Sequence, residues 1–204
     1  MRHSFLVASF CALALAGCVS ETVDSSGTPV TEAPAPGGPT PVDVAHAQIR
    51  TIIRNLKEQD GAELLRSLQV LVKMRELTLD PIAEMLPASD TRTRANLCYV
   101  LGGIGGVKAA GIATTCLRDG DKTVRFEAGA ALVAMGEPAG YETVVTFLSD
   151  SDRKYRYKAI EALREATRQD FGYDFNAGDG VRNASVSRWN AWLAERRTGT
   201  LDKK

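Results

Sequence analysis

Side chains able to do chemistry are scarce in this chain. Two histidines and four cysteines are spread over 204 residues. His46 is the only histidine beyond the first few residues, and no Ser or Cys nucleophile has a credible His base. Asp174-Phe175-Asn176-Ala177-Gly178-Asp179-Gly180 has the look of a calcium loop. An EF-type loop needs an oxygen ligand at its fifth position and Glu at its twelfth, and Gly178 and Ser185 stand there. A capping loop is the favoured reading, with a weaker oxygen-ligand site as the alternative. "LGGIGGVKAAG" (101–111) lacks the Gly-Lys-Ser/Thr ending of a phosphate-binding loop, and its flanks read as helices. Cys98 and Cys116 read as small buried thiols, with a disulfide as the alternative in an oxidising compartment. "DRKYRYK" (152–158) joins four cations to two tyrosines, and a solvated helix face is favoured over a lipid or nucleic-acid contact. No metal site, no cofactor and no small-molecule ligand is expected, and no reaction is legible.

The remaining reactive residue is Cys18. Before it come a basic start (Met1-Arg2-His3), a largely apolar run (Ser4 to Leu15) and the small pair Ala16-Gly17. This is the layout of a secretory signal peptide over residues 1–17, and the run is too short to span a bilayer. Leu15-Ala16-Gly17-Cys18 resembles the lipobox of bacterial lipoproteins. That resemblance implies cleavage before Cys18 and acylation of its thiol with diacylglycerol, carrying chains such as palmitate. Each buried methylene of such a chain contributes about 0.8 kcal/mol to membrane retention. By the same resemblance, Val19 favours the outer membrane in a cell that has one. The expected location is the cell membrane or outer membrane, with the protein lipid-anchored and facing periplasm or exterior.

Removing residues 1–17 takes away Arg2 and no acid. The 25 basic residues become 24 against 25 acidic ones, a net charge of −1. A near-neutral chain lacks the electrostatic footprint of a phosphate-backbone binder, so no nucleic-acid partner is expected. Residues 18–42 are rich in Ser, Thr, Pro, Gly, Ala and Glu and carry no aromatic side chain. Such a segment cannot bury enough apolar surface to offset its ordering entropy. It reads as the lipidated cysteine followed by a disordered tether; "APAPGGPTP" (33–41) serves as spacer, and a proline-recognition motif is the alternative.

Residues 43–196 read as the folded domain and 197–204 as a disordered tail. Within the domain, three stretches align at a spacing of 31: Leu86, Leu117 and Leu148; Asp90, Asp121 and Asp152; Arg94, Arg125 and Arg156; Leu101, Leu132 and Leu163. Apolar spacing inside each unit is helical, as in Leu97, Val100, Leu101 and Ile104. The three Asp sit as helix N-caps, and Gly105 and Gly136 sit where first helices stop. In the third copy Thr167 replaces the glycine, so that helix is expected to run further. Repetition at the structural period marks the Arg ladder as scaffold, bonding acids of adjoining units such as Asp119 and Asp150. Each unit is a helix hairpin that must bury its apolar face on a neighbour. The expected fold is therefore all-α, a short α-solenoid with capping helices at both ends. Residues 44–85 fall out of register and read as a divergent first unit. "QDFGYDFNAGDGVRNASVSRWNAWLAERR" (169–197) closes the other end, with Val186, Trp189, Trp192 and Leu193 inward and Arg188, Glu195 and Arg196 outward. An aromatic ligand platform is the alternative for the tryptophans.

"LRDGDKTVRFEAGAALVAMG" (117–136), with weaker copies at 86–105 and 148–167, resembles HEAT-like repeats in the short bacterial form related to phycobilisome-lyase repeats. The ending, Asp-x-Gly-Tyr-Asp before a Trp-x-x-Trp helix, is similar to that of many bacterial HEAT-repeat proteins. The resemblance implies a protein-binding scaffold or adaptor with envelope proteins as partners. It also implies that second helices line a concave surface. Outward residues there are Lys108, Thr114, Thr115, Arg118, Glu142, Val145 and Thr146. A lyase-like or metal-assisted enzyme is the alternative by family analogy, and a spacer in an envelope assembly is a third reading.

Overall fold

A computed structural model describes residues 38–198. The proposed signal segment, Cys18, nearly all of the tether and residues 199–204 lie outside the described residues. Everything regular is helical: α1 Pro41–Asn55, α2 Gly61–Lys73, α3 Glu76–Met85, α4 Thr91–Ile104, α5 Gly106–Cys116, α6 Lys122–Ala134, α7 Pro138–Phe147, α8 Arg153–Thr167 and α9 Asp179–Arg197. No strand occurs among the described residues.

The helices form two layers. First helices stack in the order α2, α4, α6, α8, while α3, α5, α7 and α9 lie on the other side, with α1 packed against α3. Two apolar clusters fill the space between. One runs from Ile49 and Leu56 to Ala128 and Leu132, and the other from Phe126 and Val133 to Trp189 and Leu193. Helix α6 supplies both, so it is the wall that makes the stack continuous.

Local chemistry explains where helices begin and end. Asp90, Asp121 and Asp152 each accept a backbone N–H of the first turn, from Thr93, Thr123 and Lys154. Gly105 and Gly136 take φ of 71° and 80°, the left-handed region where a Cβ is strained. In the third unit α8 runs through Thr167 as expected, and the left-handed position passes to Arg168, at φ 59°. Two boundaries differ from the sequence reading. Helix α1 opens at Pro41 because Thr40 and Asp43 form a reciprocal capping box and proline suits the first helical position. The N-terminal region is three helices: α2 packs against α4, and α3 packs against α1. Asp60 precedes α2, 30 residues before Asp90, which is why a strict spacing of 31 missed it.

The far end is closed as its composition implied. Trp189 is fully buried, edge-on to Phe171 at 4.8 Å and to Trp192 at 5.6 Å. The Tyr173 hydroxyl donates to the Leu148 carbonyl and ties the loop after α8 to the last turn of α7. Arg196 departs from the expected outward position. Its guanidinium lies 4.8 Å from the Tyr141 ring centre and 5.3 Å from that of Trp192, a cation–π clamp over the cap.

Candidate functional site

Most polar side chains that suggested chemistry serve the scaffold. Arg94 makes a two-pronged pair with Asp119, at 2.7 and 2.9 Å, and donates to the Ser89 carbonyl at 2.8 Å. That pair raises the guanidinium and holds the Asp119 carboxyl below the usual carboxylate range. Asp90 and Asp121 are also lowered, by hydrogen bonds from Thr93 and Thr123. Arg125 and Arg156 do not pair with acids of adjoining units in this way. Arg125 donates to the Asp119 and Gly120 carbonyls, and Arg156 to those of Asp150, Ser151 and Phe175. What repeats is a clamp on the carbonyl five residues back: Ser89, Gly120 and Ser151. Asp150 pairs instead with Lys122, at 3.1 Å.

The basic stretch 152–158 is largely committed. Lys158 pairs with Glu127 and lies over the Phe126 ring, Arg153 lies over Phe175, and the Tyr155 hydroxyl meets Thr123. In the calcium-like loop, Asp174 accepts the Asn176 N–H and Asp179 pairs with Arg182. Among the described residues no group of three His, Cys, Asp or Glu side chains is placed to share a metal. Cys98 and Cys116 are buried free thiols on α4 and α5. Hydrogen bonding to Cys116 and burial both push the Cys98 thiol up, so it is a poor nucleophile. Gly105 and Gly106, within 101–111, form the turn between α4 and α5.

The proposed strip on the second helices is only partly available. Val145 is buried at 2% exposure, because it faces the C-terminal cluster rather than solvent. Lys108 is paired with Asp80 at 2.6 Å, and Glu142 with Arg197 at 2.7 Å. Thr114, Thr115 and Thr146 turn their hydroxyls back onto carbonyls of their own helices. Arg118 remains exposed.

A broad concavity lies on the opposite layer. A groove of about 1000 Å³ crosses all four first helices. Its lining is mostly small and apolar, with Val72 of α2, Ala130 and Ala134 of α6, Met135 just after α6, and Ala162 and Ala166 of α8. Small residues also bring the helices beneath it together. A Cβ on Gly102 would stand 3.0 Å from the Ala131 Cα, and one on Gly103 would stand 2.8 Å from Val72 Cγ2. Tyr99, 54% exposed, projects from α4 beside them. The polar groups in the lining include Gln69 and Lys73 on α2, Glu127 on α6 and Glu165 on α8. The signal for this face is present in the sequence. Gly103, Ala134 and Glu165 share one repeat position and Tyr99 and Ala130 another, but these are outward positions, which a search for core periodicity discards.

Residues 79–164 match the family model described as HEAT repeats. The match covers most of α3 through most of α8, and with the two layers of stacked helices it defines a short α-solenoid. No curated protein matches the chain.

Proposed function

We propose that this protein is a membrane-anchored scaffold that binds other proteins in the bacterial cell envelope, and that it is not an enzyme. The observation that carries the reading is the broad, largely apolar, small-residue groove along the HEAT-repeat stack. HEAT repeats commonly act as protein-interaction scaffolds, and a solenoid offers a partner an extended surface at little cost in reorganisation. Pockets that bind small substrates enclose most of the ligand's surface, and this groove is open along its length. The anchor in this reading is Cys18, acylated after removal of residues 1–17, with the Pro-rich tether holding the domain off the bilayer.

In-cell cross-linking of the tagged chain, followed by mass spectrometry, tests the scaffold. The expected result is one dominant envelope protein cross-linked to the HEAT-repeat domain. A clean blank from correctly localised, folded protein would refute it. Cys18→Ser tests the anchor separately: the variant is expected in the soluble fraction, and unchanged membrane retention would refute lipidation.

A further inference from the structure

The groove carries an instruction about what fills it, resting on the scaffold reading above. Its floor is built from helices whose main-chain N–H and C=O groups are already bonded within each helix, so it offers an incoming main chain almost nothing. An extended peptide laid there would leave its own polar main-chain groups without partners, at a cost of a few kcal/mol for each group buried. A helix satisfies those groups internally. Ala130, Ala134, Ala162 and Ala166 further favour a helix, because floor residues without bulk let the larger apolar side chains of a visiting helix seat between them. The groove crosses four helices, and neighbours pack about 9 Å apart, so it spans about 27 Å. A helix of about 18 residues covers that length at 1.5 Å per residue.

The two ends of the groove carry opposite charge. Lys73 stands on α2 at one end and Glu165 on α8 at the other, and neither has an ion-pair partner among the described residues. Glu127, the other acid in the lining, is occupied by Lys158. A helix has a partially positive N-terminus and a partially negative C-terminus. Its macrodipole therefore fits this groove in one direction.

We propose that the first-helix groove binds an amphipathic α-helix of another protein, about 18 residues long, in one polarity. Its N-terminal turn, bearing Lys or Arg, lies over Glu165, and its C-terminal turn, bearing Asp or Glu, lies over Lys73. The mode is helix-in-groove recognition, with an apolar stripe at i, i+3, i+4 and i+7 facing the floor.

The probe is a phage-displayed library of 18-residue amphipathic helices, panned on the purified full chain. Half the library carries bases in the first turn and acids in the last; the other half carries the reverse. Isolated helices favour acids at the N-terminus, so intrinsic helicity biases selection against the expected form. Bases-first clones are expected to be enriched by about fivefold over acids-first clones, the scale of two exposed charge pairs. Panning on the Lys73→Glu/Glu165→Lys double variant is expected to invert that preference. Ala134→Trp, at an exposed position on the floor, is expected to abolish enrichment of both forms while circular dichroism reports an unchanged fold. No enrichment on the parent chain, the same preference on the charge-swapped chain, or binding that survives Ala134→Trp would each overturn the proposal. Such a failure, alongside in-cell capture of a protein cross-linked to Lys108 or Arg118 on the second helices, would leave the scaffold reading intact and remove only the groove as its site. Failure of both experiments removes the scaffold.

Discussion

Gly140 and Gly111 make a matched pair in which one substitution should have opposite effects. Both lie inside helices, on α7 and α5. A Cβ on Gly140 would stand 2.5 Å from the Val133 nitrogen, 2.6 Å from Leu132 Cβ and 2.7 Å from the Leu132 carbonyl carbon. Two of these three atoms are main chain of α6, which cannot rotate away, so α7 must retreat by roughly 1 Å to restore ordinary contact. Helix α7 carries Tyr141, Val144, Val145 and Phe147 into the core, and a gap of that size forfeits a quarter to a half of each dispersion contact. Overpacking against an unyielding neighbour places the cost of Gly140→Ala at about 3 kcal/mol, which more than offsets the gain in helix propensity. Gly111 meets nothing within 4 Å, so Gly111→Ala should keep that gain, about 1 kcal/mol. For a chain of this size, 1 kcal/mol moves Tm by about 3 °C. Thermal melts followed at 222 nm should place Gly140→Ala about 9 °C below the parent and Gly111→Ala about 3 °C above it. A Gly140→Ala protein as stable as its parent would refute the close α6–α7 approach on which the estimate rests.

Acid should loosen the repeat turns. The Asp90, Asp119 and Asp121 carboxyls are held below their ordinary range by hydrogen bonds, so the stability they contribute is present above pH about 4 and is lost as pH falls through their folded values. The urea midpoint should be flat between about pH 5 and 8 and should drop below about pH 4. Asp119→Asn should lower stability at neutral pH by about 1 kcal/mol, a value discounted for solvent contact, and should shallow the acid fall; an unchanged acid limb would refute this assignment. Trp189→Ala should cost about 4 kcal/mol in a denaturant titration, because a fully buried indole closes the C-terminal end of the core. A loss below about 1 kcal/mol would show that the cap does not depend on it.

The helix hairpins were legible because their signals are local. Asp90, Asp121 and Asp152 cap the very turns that follow them, and Gly105 and Gly136 end helices by their own φ. The apolar spacing of Leu97, Leu101 and Ile104 names an inward face without reference to any neighbour. The ladder was legible as a ladder, but its partners were not. Arg94 reaches a carboxylate while Arg125 and Arg156 reach carbonyls, and the difference lies in loop geometry that side-chain spacing does not encode. Val145 was misplaced for a related reason. On a second helix sandwiched between the first-helix layer and the closing α9, a wider arc is buried than one stripe of a helical wheel allows.

By itself the sequence determined that this chain builds repeating helix hairpins, where most of them start and stop, and most of the residues that enter the core, since each follows from dihedral preference, capping and a 3.6-residue period acting within a few residues. Only the tertiary structure decided which layer is hollow. The groove exists because Gly102 and Gly103 let α2, α4 and α6 approach closely while Ala130, Ala134, Ala162 and Ala166 leave space above them. Whether a small side chain closes a gap or opens one depends on what stands opposite, and that is settled only when residues distant in the chain meet.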